Sequence, residues 1–253
     1  MNKKITLQFL GLTFAIMLTC WGTCVVCAMF GITLKDNFLL YLPYMLGGLS
    51  PTIASYIVLK KNQQVSGFKE WLKNVFKVKT SVWYYLLTLF LWAFLIIPPL
   101  FFAEVEIINP IYMLVVLLPV MLIGGGLEEA GWRYILQPEL DKKYGFILSS
   151  VITAAIWSVW HLPLFYIPGV GQYGWNFGLF AITVLGGTFA LGAIRKISGN
   201  VFLCVLFHSL FNAGFSVFSV NQTLLTNSIS SGILIVVSII AVCIFSKKKI
   251  AGN

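Results

Sequence analysis

The feature that most constrains this chain is a series of long apolar stretches separated by short polar connections. A helix needs roughly 20 apolar residues to cross the hydrocarbon core of a bilayer, and about eight stretches have that length. They lie near residues 5–30, 39–59, 82–102, 111–136, 147–166, 177–194, 201–220 and 229–246. Irregular backbone is not tolerated where lipid surrounds it, so these stretches are predicted to be helices. The expected fold class is all-α, a polytopic membrane bundle of about eight transmembrane helices.

The composition favours the same interpretation. Charged residues make up 10% of the chain and hydrophobic residues 59%, whereas a soluble domain has roughly a quarter of its residues charged. The lipid bilayer is therefore expected to cover most of the surface. We interpret residues 1–253 as a single integral membrane domain. Its formal net charge of +9 indicates membrane orientation rather than nucleic-acid binding, because the lysines stand in short runs between apolar stretches.

Positive charge falls on every second connection. Basic residues precede the first stretch and follow the second, fourth, sixth and eighth: Lys3, Lys4, Lys60, Lys61, Lys69, Lys73, Lys77, Lys79, Lys142, Lys143, Arg195, Lys196, Lys247, Lys248 and Lys249. The intervening connection 31–38 holds only Lys35, and 103–109 holds Glu104 and Glu106 without a lysine. Basic connections stay on the cytoplasmic side of a membrane. The chain is thus predicted to lie in the cell membrane with both termini cytoplasmic.

A helix of a second kind is predicted within residues 67–80. Apolar side chains recur there at helical spacing with lysines between them: Phe68, Trp71, Leu72, Val75 and Phe76. This pattern is typical of a short amphipathic helix lying on the cytoplasmic surface of the membrane.

Between residues 81 and 246, few ionisable side chains lie inside the apolar stretches. They are Glu128, Glu129 and Arg133 in the fourth stretch, His161 in the fifth and His208 in the seventh. Such groups are costly at membrane depth, so each is expected to face the bundle interior and to have a partner. A single polar pocket formed by three helices would give each of these side chains a polar partner.

Spacing indicates how these residues combine. Glu129 and Arg133 are four residues apart, so they share a helix face and can form an ion pair. Glu128 lies about 100° around the helix from Glu129. If Arg133 neutralises Glu129, Glu128 is the carboxylate that remains available for chemistry. Two further pairs with the same spacing are Trp157 with His161, and His208 with Asn212.

These residue types are typical of a hydrolase that activates water. Glu128 and His161 are predicted to hold a water molecule and accept its proton. His208 and Asn212 are predicted to donate hydrogen bonds to the oxyanion of a tetrahedral intermediate. The supporting residues in this hypothesis are Glu129, Arg133 and Trp157.

A metal site is the alternative arrangement. Glu128, His161 and His208 are a possible zinc-ligand set, with a water at the open position. No two histidines are spaced as ligands on one helix, so the three ligands would come from three stretches. Residue types alone do not separate the two mechanisms, and the expected cofactor is either none or Zn²⁺.

Three motifs, taken together, resemble those of a known family. Residues 128–133 resemble a Glu-Glu-x-x-x-Arg motif, residues 156–163 a motif with an aromatic residue four before a histidine, and residues 208–212 a histidine followed four later by Asn. This order is similar to that of the CPBP family, the CAAX-protease and bacteriocin-processing (Abi) membrane proteins. The resemblance covers roughly residues 114–215.

The resemblance implies an intramembrane endopeptidase with a protease-like core at about 111–220. It also implies a peptide or membrane-protein substrate and a role in bacteriocin processing or self-immunity. The family is named as metalloproteases, although a metal-free glutamate–histidine water is favoured in its CAAX branch, so the question of the metal stays open. Two other hypotheses are a proton-coupled transporter and a non-catalytic immunity or scaffold protein.

The sequence also predicts how deep the pocket lies in the membrane. On straight helices, His161 lies deeper from the cytoplasmic end than Glu128 or His208. The three meet if the fifth stretch begins outside the membrane, near residues 141–146. The pocket is then predicted to open nearer the cytoplasmic side.

Overall fold

The protein is a bundle of α-helices in the computed structural model, which describes the backbone of residues 1–251 and the side chains of residues 1–245. The helices are α1 (Lys3–Met29), α2 (Tyr41–Gly48), α3 (Ser50–Lys61), α4 (Phe68–Val75), α5 (Val82–Ile96), α6 (Pro99–Phe102), α7 (Met113–Ile123), α8 (Glu129–Gly131), α9 (Gln137–His161), α10 (Phe177–Ser198), α11 (Val201–Val217) and α12 (Leu224–Ala251). The predicted basic side chains Lys247, Lys248 and Lys249 lie outside the described side chains.

The predicted all-α membrane bundle is confirmed. Within the described residues, five helical segments are long and apolar enough to cross a membrane. A sixth is obtained if α2, its preceding 3-10 turn Phe38–Leu40 and α3 count as one span bent by 50°. Two further apolar helices, α7 and α11, are shorter. Length and composition thus support five or six of the eight predicted spans.

A two-stranded antiparallel sheet lies outside the helices. Its strands are β1 (Val105–Ile107) and β2 (Phe218–Val220), with Glu106 opposite Ser219. The predicted helix over 201–220 therefore ends earlier, at Val217, and its last three residues form β2. The pairing joins the connection after α6 to the connection before α12.

The fourth apolar stretch is not one helix, and the prediction of a single helix over 111–136 is wrong. Helix α7 ends at Ile123, and Gly125 has a φ of +153°, which interrupts the helix and which L side chains rarely adopt. The chain continues through a 3-10 turn (Gly126–Glu128), α8 and a π-helical turn (Trp132–Leu136) into α9. Helix α9 is itself kinked at Gly145, which has a φ of +72°.

The amphipathic helix predicted within 67–80 corresponds to α4. Trp71 and Val75 are buried, and the indole Nε1–H of Trp71 donates a hydrogen bond of 2.9 Å to Ser55 Oγ on α3. Phe68 and Leu72 are exposed, at 54% and 39%. One face of the helix is thus fixed to the bundle, and its position at the membrane surface stays a prediction.

Candidate active site

The break before Glu128 lets α11 approach the backbone closely. A Cβ at Gly125 would lie 2.2 Å from Asn212 Nδ2, and one at Gly126 would lie 2.3 Å from Ser209 Oγ. Both distances are too short for a real side chain, so glycine is required at these two positions for α11 to pack where it does. The packing brings the motif of the seventh stretch against that of the fourth.

Glu129 binds two partners at once. Its Oε2 lies 3.2 Å from Arg133 Nη1, and its Oε1 accepts a hydrogen bond of 2.9 Å from His208 Nδ1. Glu129 and Arg133 are completely buried, and His208 is 5% exposed. The predicted ion pair is confirmed as a contact. The link to His208 was not foreseen, and it ties α8 to α11 through one carboxylate.

Glu128 is held by Trp157 of α9. The indole Nε1–H of Trp157 donates a hydrogen bond of 2.8 Å to Glu128 Oε2. The guanidinium carbon of Arg133 lies 5.0 Å from the centroid of the same ring, within the range of a cation–π contact. The sequence predicted Trp157 as a supporting residue four before His161, but it did not predict the bond to Glu128. The available signal was its indole N–H, which needs an acceptor when buried.

His161 is oriented by the backbone of its own helix. Its Nδ1 lies 2.9 Å from the carbonyl oxygen of Trp157. A carbonyl can only accept a hydrogen bond, so Nδ1 carries the hydrogen and Nε2 of the neutral ring keeps a lone pair. The rings of Trp160 and Phe180 pack against the imidazole, with centroids at 4.6 and 5.0 Å.

These side chains border one cavity of about 490 Å³. The predicted residues that line it are Glu128, Trp157, His161, His208 and Asn212, whereas Glu129 and Arg133 lie behind it. The predicted residues therefore lie close together in the structure. Five of them line the cavity, and the buried pair Glu129 and Arg133 does not.

The cavity also draws on helices that precede the predicted core. Trp21 of α1 and Tyr44 of α2 line it, and the Trp21 indole donates a hydrogen bond of 2.8 Å to the Tyr44 carbonyl oxygen. The N-terminal stretches carry no motif, so sequence reasoning missed both residues. A protease-like core at 111–220 thus stays a prediction, and the cavity itself extends beyond that range.

The lining of the cavity extends to two connections that were not expected to reach it. Gln172 and Trp175, in the connection between α9 and α10, and Gln222, after β2, are among its lining residues. Both connections belong to the lysine-poor set that the charge pattern places outside. The prediction of a pocket opening nearer the cytoplasmic side rested on depths along straight helices and on a fifth stretch that begins outside the membrane. The break at Gly125 removes the first of these assumptions for the fourth stretch.

A zinc ion would need several ligating side chains grouped around one point. Among the described residues, no group of three or more His, Cys, Asp and Glu side chains is arranged to hold a metal ion. Glu128 Oε2, His161 Nδ1 and His208 Nδ1 bind the Trp157 indole, the Trp157 carbonyl oxygen and Glu129, so Glu128 Oε1 and the two Nε2 atoms are the ones that face the cavity. As placed among the described residues, these three side chains are not grouped as a zinc-ligand set, and the choice between zinc and a metal-free water stays a prediction.

Comparison with known proteins agrees with the three motifs. A family model described as type II CAAX prenyl endopeptidase Rce1-like matches residues 109–214. CAAX prenyl protease 2 of Methanococcus maripaludis is 27% identical over 137 residues, which is 51% of this chain and 49% of that protein. The chain thus spans about half the length of the curated relative that it matches.

The residues matched by the family model include all three motifs of the cavity. The fold and the site define an integral membrane protein with a buried acid–histidine cluster. The segment 109–214 is similar to type II CAAX prenyl endopeptidases, which supports the CPBP-family resemblance that the motifs predicted.

Proposed function

We propose that this protein is an intramembrane endopeptidase that hydrolyses a peptide bond with a water molecule held by Glu128 and His161. The observation that carries the proposal is the shared cavity, which Glu128, His161, His208 and Asn212 all line. Each of these side chains except Asn212 is at least nine-tenths buried, so an attacking water would react in a site largely shielded from solvent.

Two acceptors are available for the two hydrogens of that water. Trp157 binds Glu128 through Oε2, which leaves Oε1 for a proton from the water. His161 Nε2 has a lone pair because Nδ1 is bound to a carbonyl. As the water oxygen bonds to the peptide carbon, its proton moves to Glu128. Glu128 then returns this proton to the amide nitrogen as the C–N bond breaks.

Two donors are available for the oxyanion. Asn212 Nδ2 and His208 Nε2 lie 2.2 and 3.4 Å from the position that a Cβ of Gly125 would occupy. Both therefore face the same small space beside Glu128. To donate from Nε2 as well as from Nδ1, His208 must carry a hydrogen on each ring nitrogen. The Glu129 carboxylate would stabilise the resulting cation. Glu128 and Glu129 would then balance Arg133 and His208 in charge.

The substitution Gly125→Ala is expected to lower the cleavage rate by about 10²–10³-fold, the effect of losing an oxyanion donor. The new methyl group would displace Asn212 Nδ2. The measurement is the initial rate of peptide cleavage by purified protein. Gly22→Ala is the matched control, since nothing lies within 4 Å of its Cβ. Equal rates for the two variants would contradict the assignment of Asn212.

The proposed function is tested by cleavage of a fluorophore–quencher peptide library, with and without a strong chelator. We expect wild type to keep its rate after chelation and His161→Gln to lose about 10²-fold or more. The control is Tyr144→Gln, a substitution of an exposed residue away from the cavity. Loss of activity on chelation, with recovery on adding Zn²⁺, would overturn the metal-free mechanism. A transporter or a non-catalytic scaffold would show no cleavage in any sample.

The resemblance also implies a physiological role in bacteriocin processing or self-immunity. This role stays a prediction. The proposed activity is the hydrolysis of a peptide bond within the bilayer.

A further inference from the structure

One end of the bundle is held together by contacts between segments that are rich in lysine. The backbone N–H of Asn2 donates to Glu139 at 2.5 Å, and Lys196 pairs with Asp141 at 2.9 Å. The side chain of Asn200 donates to the carbonyl oxygen of Lys77 at 2.8 Å. The chain start, the connection before α5, the start of α9 and the connection between α10 and α11 therefore share one end, here called the lysine-rich face.

The opposite end is defined by the β1–β2 pair. There the backbone N–H of Asn221 donates to the carbonyl oxygen of Glu104 at 3.0 Å. Asn109 donates to the carbonyl oxygen of Ser216 at 2.8 Å. Helix α10 has 22 residues and therefore spans about 33 Å. It begins beside the connection 167–176 and ends at the lysine-rich face. The connection 167–176 and the strands thus lie at the same end, here called the lysine-poor face.

Charge assigns a side of the membrane to each face. The basic residues of the lysine-rich face and its adjoining connections are Lys3, Lys4, Lys60, Lys61, Lys69, Lys73, Lys77, Lys79, Lys142, Lys143, Arg195 and Lys196. Among the described side chains of the other connections, Lys35 is the one basic residue, and it is accompanied by Asp36, Glu104 and Glu106. An asymmetry this large places the lysine-rich face in the cytoplasm.

The cavity reaches the lysine-poor face. Gly171, Gln172, Trp175, Ser216 and Gln222 line it at that end, and no described residue of the basic connections lines it. From this arrangement we infer that the substrate enters from the outer side of the membrane. The substrate is a polypeptide segment presented at the outer surface, such as part of an exported or membrane-anchored chain. The cleavage of this segment rests on the proposed function, whereas the side of entry does not.

The wall of the cavity restricts the chemistry of that segment. Apart from Tyr44, Glu128 and the two histidines, its described lining carries no ionisable side chain. A charged substrate side chain would lose its hydration there without a partner. The residues around the scissile bond are therefore uncharged and mostly apolar. The amides of Gln172 and Gln222, at the lysine-poor end of the cavity, can bind the substrate backbone.

The side of entry is tested by cysteine labelling in intact cells. The five native cysteines, Cys20, Cys24, Cys27, Cys204 and Cys243, are first replaced by alanine. Single cysteines are then introduced as Tyr173→Cys and Gln222→Cys on the lysine-poor face, and as Lys69→Cys and Lys142→Cys on the other. With a membrane-impermeant maleimide, we expect the first pair to react in intact cells and the second only after permeabilisation. The reverse pattern would overturn the inference.

Cleavage in oriented vesicles separates this inference from the proposed function. A fluorophore–quencher peptide library with uncharged central residues is added outside right-side-out and inverted membrane vesicles. We expect at least tenfold faster cleavage in the right-side-out vesicles, and none in vesicles carrying Glu128→Gln. Cleavage confined to inverted vesicles would refute outer entry but leave the peptidase function intact. If neither preparation cleaved, the peptidase proposal would fail, and labelling would still report the side of entry.

Discussion

Glu128→Gln is expected to lower the rate of peptide cleavage by about 10²–10⁴-fold, the contribution of a positioned general base. The amide oxygen of glutamine can still accept the hydrogen bond from Trp157, which is 2.8 Å long in the protein. The cavity should therefore keep its shape while losing the group that accepts the proton. The measurement is the single-turnover rate with a cleavable peptide, compared between purified wild type and variant.

The matched control for this experiment is Glu106→Gln. Glu106 lies on β1, is exposed and does not line the cavity. The same chemical change there is expected to leave the rate within twofold of wild type. An unchanged rate for Glu128→Gln, with the fold intact, would remove Glu128 from the mechanism. A loss of similar size in both variants would indicate a general effect of charge.

Arg133→Met is expected to destabilise the protein by about 3–5 kcal/mol, as found when one partner of a buried ion pair is removed. Arg133 and Glu129 are both completely buried, so the substitution leaves a carboxylate with His208 as its remaining described partner. It also removes the contact with the Trp157 ring. The midpoint of thermal unfolding should fall by about 10 °C for a chain of this size.

The measurement uses the cysteines of the bundle. Cys204 is completely buried and Cys24 is 2% exposed, so a fluorogenic maleimide reports their exposure on heating in detergent. Exposed Cys243 is first changed to alanine. The double variant Glu129→Gln with Arg133→Met should recover most of the midpoint, because no unpaired charge remains. It should not recover cleavage, because His208 loses its carboxylate. A single variant as stable as wild type would contradict the ion-pair argument.

The sequence was most informative where burying a charge restricts the possible partners. Glu129 and Arg133 could be paired because an isolated charge in a membrane bundle is too costly and their spacing puts them on one helix face. The same reasoning placed His161, His208 and Asn212 near one pocket. The helical fold followed from the length of the apolar stretches, since a membrane span requires a structure that satisfies its own backbone.

The contacts between helices could not be predicted in the same way. Bonds of Trp157 to Glu128 and of His208 to Glu129 depend on how α9 and α11 are rotated against α8, and no spacing within one helix encodes that rotation. The break at Gly125 is likewise a product of packing. Glycine is common in membrane helices, and only the approach of Asn212 shows why this position needs one.

The π-helical turn at Trp132–Leu136 determines how the acidic motif is oriented. Such a turn holds one residue more than an α-helical turn, so it rotates the preceding segment by about 100° relative to α9. Deleting a single residue from it would turn Glu128 and Glu129 away from Trp157 and His208. The length of this turn is thus constrained separately from its side chains, and an alignment gap there would mark a relative in which the acidic motif is oriented differently.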